Sequence, residues 1–280
     1  MSGQPAERFA FLIADHSAAV PTLPDVAHRA IALASDPDVE IGTLADLVER
    51  DPVFASRVMG FANSAFSAPL VYASTVKEAI IRVGTSAVRN IIMTVSLASR
   101  VQDVPVYGPR GRALFDHALG TACLARAIAE RTGLAPEQAF LAGLMHDIGK
   151  LVILKLAFDH VAAAGEPIPP AELEDALRER HAMMGALALR RWHLPEEIDD
   201  PVMFHHQYES ASRHQREAAA CYLANRLSHR YGFGCTAEPS EPAAFAEDPA
   251  FTVMGLDAGW LQRLDGQAPS VFAAARASLA

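Results

Sequence analysis

The chain has little of what builds a disulfide scaffold, a membrane span or a nucleic-acid surface. Its 280 residues include three cysteines, Cys123, Cys221 and Cys235, too few and too scattered for a disulfide framework. Cys123 and Cys221 lie in apolar helical runs, where a thiol behaves as a small buried hydrophobe. Basic residues are outnumbered, with 24 Lys and Arg against 33 Asp and Glu. The resulting formal charge of -9 argues against a surface for duplex nucleic acid. No stretch approaches the roughly 20 apolar residues that cross a bilayer. The N-terminus, MSGQPAERFAFLIADH, lacks a basic start and carries Glu7 and Asp15 around a short apolar run, which makes a poor signal peptide. A cytoplasmic location without membrane contact is therefore expected. Aromatics supply only 7% of residues against 51% for all hydrophobics, so Ala, Leu, Val and Ile must build the core. Ala and Leu lose little rotamer freedom in a helix, and no strand signal competes with them.

Helical periodicity and caps divide the chain accordingly. Residues 5–19 read as a first helix and Asp25–Ala34 as a second. Thr43, with Asp46 three residues on, suggests a capping box opening Leu44–Arg50. Asp51-Pro52 is a cap followed by proline at the first helical position, which predicts a helix over Val53–Asn63. Ser74 or Thr75 opens Val76–Val83, Gly84-Thr85 breaks it, and Ser86–Val101 follows. DVPVYGPRG, with two Pro and two Gly, reads as a boundary or connecting loop. Beyond it come Arg112–Thr132, Ala135–Ala157, Ala171–Trp192, Pro195–His206 and Glu217–Tyr231. Residues 236–249 read as an acidic solvated loop, and Val253–Leu279 as an amphipathic stretch returning to the body. Three segments result: 1–105, 106–235 and 236–280.

The chemistry concentrates in the middle segment. His117 falls on one expected helix, His146-Asp147 on the next, His181 on a third and His205-His206 on a fourth. Each has apolar neighbours, so each helix can turn its ligand to one interior, as helix bundles build metal sites. Adjacent helical residues differ by about 100° in direction, so His146 and Asp147 reach one ion only from the end of a turn, or else they straddle two metals. Gly149 permits a helix break there, or close approach of another helix. Imidazole with carboxylate suits a divalent transition metal such as Fe, Mn, Ni or Zn. The alternative is a set of buried histidines satisfied by hydrogen bonds. His28, His160, His214 and His229 read as ordinary exposed or capping residues.

HDIGK at 146–150, with His117 upstream, resembles the HD phosphohydrolase superfamily. In that superfamily a His, a His-Asp pair and a later Asp hold divalent metal for phosphoester hydrolysis. His181, Gly185, Trp192, LPEEI and His205-His206 resemble the longer ligand set of the HD-GYP branch, although QYESASRHQ stands where its GYP motif would fall. TLPDVAHRAIALASDPDVEIGTLADLVERDPVFASRVMGFANSAFS, then VKEAIIRVGTSAVRNIIMTVSLA, is similar to the N-terminal region of the HDOD family, an HD-related output domain of bacterial signalling. This resemblance spans roughly residues 20–230. It implies an all-α, HD-like helical bundle with an N-terminal helical HDOD subdomain. It also implies a regulatory role through a signalling protein partner or a nucleotide second messenger.

The departures bear on catalysis. Asn225 stands where the closing Asp of the set would fall, Ala113 where some relatives place an extra acid, and Pro201 four residues before His205. The expected metal ligands are His117, His146, Asp147, His181, His205 and His206. Were the protein an enzyme, Asp147 would bridge metals and Lys150 would neutralise a phosphate. The reading that follows is a regulatory domain that binds rather than hydrolyses. A metal-dependent phosphohydrolase of a nucleotide or cyclic dinucleotide, and a metal-free interaction scaffold, are its rivals.

Overall fold

The structure is a computed structural model that describes residues 25–64, 72–165, 167–235, 245 and 247–277. The expected helix at 5–19 and most of the acidic loop at 236–249 lie outside these residues. All regular structure among the described residues is helical. The described residues form two compact units, one built on Thr22–Arg100 with Pro269–Ala280, the other on Val101–Ala268.

The first unit contains α1 (Asp25–Ser35), α2 (Ile41–Val48), α3 (Pro52–Ala62), α4 (Val76–Val83) and α5 (Thr85–Arg100). Asp51 caps α3 as the sequence suggests, its carboxylate accepting from the backbone N–H groups of Val53 and Phe54 at 2.9 and 3.3 Å. Thr75 caps α4, accepting from the Glu78 N–H. The Thr43 capping box does not form. Helix α2 begins at Ile41 with Glu40 as its cap residue, and Thr43 lies inside the first turn. Gly84, at φ +83°, turns the chain between α4 and α5, whose axes differ by 109°. Ala30, Ile31, Leu44, Val48, Val58, Ile80, Val88 and Ile92 make the core of this unit.

The second unit contains α6 (Val104–Thr132), α7 (Pro136–Met145), α8 (Ile148–Ala164), α9 (Pro170–Arg191), α10 (Glu196–Met203), α11 (Gln215–Tyr231), α12 (Pro249–Met254) and the first half of α13 (Ala258–Ala277), whose residues from Pro269 on belong to the first unit. DVPVYGPRG holds the break that its composition suggests, but little loop. Gly108, at φ +55°, is non-helical and divides α6 into two helical stretches that meet at a kink, and the two units part just before it, between Arg100 and Val101. Pro105 sits in the first turn, where no backbone donor is lost, while Val106 and Tyr107 donate to the Asp103 carbonyl. The expected helix 135–157 is two helices, broken at His146-Asp147. The expected 195–206 stops at Met203, so His205 and His206 stand on a turn. Among the described residues no single helix is long and apolar enough to cross a membrane.

Two close crossings position the site. Helix α8 meets α9 backbone to backbone at Gly149, where a Cβ would fall 1.9 Å from the His181 carbonyl oxygen and 2.7 Å from the Gly185 nitrogen. Gly149 is thus the point of helix approach that its position suggested. Helix α7 meets α6 at Gly143, where a Cβ would fall 2.9 Å from the Thr121 carbonyl oxygen. Both contacts lie within four residues of the His146-Asp147 break.

Candidate functional site

Three of the histidines are oriented by one local device. The Nδ1–H of His146 donates to the Gly143 carbonyl at 2.8 Å, that of His181 to Arg178 at 3.1 Å and that of His205 to Val202 at 2.6 Å. Each acceptor lies three residues back, one turn away, so the preceding turn of backbone fixes ring and tautomer. Each Nε2 then carries a lone pair aimed inward, the arrangement that metal-bound histidines adopt. His146 and His205 are 0% exposed and Asp147 4%.

These lone pairs converge on Asp147. His181 Nε2 is 3.3 Å from Asp147 Oδ1 and His205 Nε2 3.9 Å from it, while His146 Nε2 is 3.4 Å from Oδ2. His181 and His205 bring their Nε2 atoms within 3.2 Å of each other, and His206 Nε2 is 3.0 Å from His181 Nε2. Since both His181 and His205 spend their proton at Nδ1, their facing nitrogens are two acceptors without a donor between them. His146 Nε2 and Asp147 Oδ1 are likewise buried without a hydrogen-bond partner. Buried polar atoms are rarely left so. A cation between the nitrogens and the carboxylate would resolve these conflicts, and the N/O donor set fits a divalent transition metal.

Electrostatics favour the unprotonated form of these side chains. Burial lowers the His117 and His181 pKa values to about 4, with neighbouring histidines or Lys150 adding to the effect and Asp147 opposing it. Burial also carries His205 well below the ordinary range and lowers His206. Burial alone would raise the Asp147 carboxyl. His146 and Lys150, whose Nζ lies 2.6 Å from Oδ2, outweigh it and hold the group well below the usual carboxylate range.

A pH dependence follows from these shifts. Unfolded histidines take up protons near 6.5, whereas folded His117 and His181 resist until about 4. Unfolding therefore takes up protons within that window, so acid favours the unfolded chain. The metal-free protein is expected to lose stability as pH falls from about 6.5 to about 4, and Asp147 extends the loss below its ordinary 3.8. Urea denaturation at stepped pH measures this. Stability that is flat across the window would show that the imidazoles are not held neutral.

His117 joins the group through α6 and borders it. Its Nε2 is 3.9 Å from Asp147 Oδ2 but 2.9 Å from Asn225 Oδ1, and its Nδ1 meets the Phe233 carbonyl and Ser228 Oγ, both at 3.2 Å. Asn225 thus engages the nitrogen that would otherwise point at the carboxylate. Pro201 does not keep the last histidines away, because α10 ends two residues later and the turn delivers His205 and His206. Ala113 lines the cleft beside His117 without contributing a ligand.

That cleft, of about 440 Å³, opens on His117, Asp147, Lys150, His181 and His206, with Leu114, Leu154 and Leu177 as apolar wall and Arg110 and Arg178 at its edge. Lys150 is a buried-site partner of Asp147 more than a solvent-facing residue, its side chain 27% exposed. His229 and Cys235 also line the cleft, and their place was not apparent from the sequence. The available signal was helical spacing, since His229 follows Asn225 by one turn on α11. His160 is buried rather than exposed.

The fold has known counterparts. The family model for the HDOD domain matches residues 20–208. An HDOD domain protein of unknown function from Geobacter sulfurreducens superposes with a TM-score of 0.75 at 26% identity, covering 96% of each chain. A proposed metal-dependent phosphohydrolase from Shewanella amazonensis shares the fold with a TM-score of 0.73 at 19% identity, covering 99% of each chain. An uncharacterised protein of Treponema pallidum is 27% identical over 218 residues, which make up 73% of this chain and 41% of that protein. The chain therefore spans about two-fifths of the length of that curated relative. With 189 of 280 residues matched in sequence and the helical architecture matched in structure, the chain belongs to the HDOD domain family.

Proposed function

We propose that this HDOD domain is a signalling module in which a divalent transition metal, held by His146, Asp147, His181, His205 and His206, anchors an anionic ligand without hydrolysing it. The pairing of Asn225 with His117 at 2.9 Å carries the reading. A carboxylate at 225 would add negative charge beside Asp147 and a group able to take a proton from water. An amide at neutral pH supplies neither. When bound, the metal supplies Lewis-acid affinity for a phosphate or carboxylate oxygen.

The chain's own residues supply the rest of the binding. Lys150 places its ammonium at the cleft floor against Asp147, where it opposes the negative charge of an incoming phosphate's neighbour and can turn to the phosphate itself. Leu114, Leu154 and Leu177 offer an apolar wall to a base or a nonpolar side chain. The cleft volume falls within the range of small-molecule sites, roughly 300–1,000 Å³. A nucleotide second messenger or an acidic segment of a partner protein meets these requirements.

Bis(4-nitrophenyl) phosphate and metal-loaded protein provide the test. Wild type is expected to release no nitrophenolate above the rate of free metal, and Asn225→Asp to gain turnover. Wild-type turnover that Asp147→Asn abolishes would replace this reading with the phosphohydrolase one.

A further inference from the structure

The end of α11 and the turn after it carry a second cluster of ligand atoms, beside the buried one. His229 projects from α11 one turn after Asn225, and its ring centroid lies 4.6 Å from that of His117. The chain then reads Gly232-Phe233-Gly234-Cys235, with both glycines at φ +69°. This turn is built against α6 and has no slack. A Cβ on Gly234 would fall 2.1 Å from the Ala113 carbonyl oxygen and 2.3 Å from the His117 nitrogen. One on Gly120 would meet the Phe233 ring at 2.6 Å. The Phe233 carbonyl in turn meets His117 Nδ1. The turn thereby delivers Cys235 to the mouth of the cleft, its Sγ 3.5 Å from His229 Nδ1.

We infer that His117, His229 and Cys235 form a second metal site, for a thiophilic divalent ion such as Zn²⁺, distinct from the buried histidine–aspartate site. One ligand atom from each of the three lies within 4.8 Å of the others. Two ligands of a tetrahedral zinc, at roughly 2.05 Å for nitrogen and 2.3 Å for sulfur, are separated by about 3.6 Å. The observed Sγ to Nδ1 separation of 3.5 Å matches that edge. Closure by His117 asks one of its ring nitrogens to exchange a neutral hydrogen bond for the metal. Three protein ligands leave a fourth position facing the cleft, open to water or to an oxygen of a bound anion. Binding replaces the thiol proton, which leaves to solvent, by the metal ion, with no redox change.

Cobalt titration of the metal-free protein tests the site, because a cysteine ligand gives a sulfur-to-cobalt charge-transfer band in the near ultraviolet that imidazole and carboxylate ligands do not. Wild type is expected to show the band, Cys235→Ser and His229→Gln to lose it, and His205→Gln, which alters the buried site away from His117, to keep it. Alkylation provides a second readout. Cys235 is exposed whereas Cys221 is buried and Cys123 half-buried, so iodoacetamide labels Cys235 first, as the loss of that label in Cys235→Ser checks, and Zn²⁺ is expected to protect it in wild type but not in His229→Gln. A wild type without the band at saturating cobalt, a band that survives Cys235→Ser, or labelling indifferent to zinc would overturn the inference and leave only a thiol–imidazole hydrogen bond. Retention of the first equivalent of cobalt in Cys235→Ser would separate that outcome from failure of the buried site.

Discussion

Asp147→Asn is expected to weaken divalent metal binding by more than about 100-fold, the upper range for loss of a group that merely orients a ligand. The carboxylate sets its negative charge against the buried imidazoles, and both of its oxygens serve the cluster. Oδ1 faces His181 and His205, and Oδ2 faces His146 and Lys150. The amide keeps the shape but removes the charge that draws a dication into a site surrounded by neutral rings. It also leaves Lys150 as an uncompensated ammonium beside the ion. Titration calorimetry of metal-free protein with Mn²⁺ measures the effect. Unchanged affinity in Asp147→Asn would mean that the ion sits elsewhere. The change is isosteric, so circular dichroism should show the helices intact, and the loss can be assigned to coordination.

The second large effect is on the scaffold. Gly149→Ala inserts a methyl group where the α9 backbone passes, 1.9 Å from the His181 carbonyl oxygen. No rotamer relieves a clash between a Cβ and a main chain, so α8 and α9 must separate. Overpacking costs typically 1–3 kcal/mol when side chains can yield, and a backbone obstacle is expected to reach or exceed about 3 kcal/mol. Separation also draws His181 from Asp147, so metal affinity should fall together with the denaturation midpoint. Gly133→Ala is the control. Its glycine caps a helix in the left-handed region with open space around the missing Cβ, so it should lose stability modestly and leave the metal site unaltered. Equal metal affinity in wild type and Gly149→Ala would show that the helix crossing does not set the site.

The parts of the fold and site that could be read from sequence are those with local causes. Asp51-Pro52 names its own helix start because a carboxylate cap and a proline at the first turn act within four residues. His117, His146, Asp147, His181 and His205-His206 could be grouped because each has apolar neighbours at helical spacing, and the structure brings ring nitrogens of His117, His146, His181 and His205 to the Asp147 carboxylate, with His206 against His181. The break between α7 and α8 was allowed for at Gly149 but not fixed by the sequence, since FLAGLMHDIGKLVILKL has no residue that forbids continuous helix. The interruption comes from long-range packing of Gly143 and Gly149 on either side of it. DVPVYGPRG announced a break, found at Gly108, but not the helical chain on either side of it, which forms because Pro105 falls in a first turn and Pro109 directly after the kink. Asn225 could be recognised as a departure, but not as a partner for His117, because that bond joins residues 108 positions apart. Cys235 owes its place to a glycine turn docked on α6, which nothing in its own neighbourhood announces.

X-ray absorption at the manganese edge, on protein loaded with one equivalent of Mn²⁺, tests the central claim most directly. Coordination by His146, Asp147, His181, His205 and His206 predicts a nitrogen- and oxygen-rich shell with the outer-shell scattering of several imidazole rings. A shell of oxygens alone, without imidazole scattering, would contradict it.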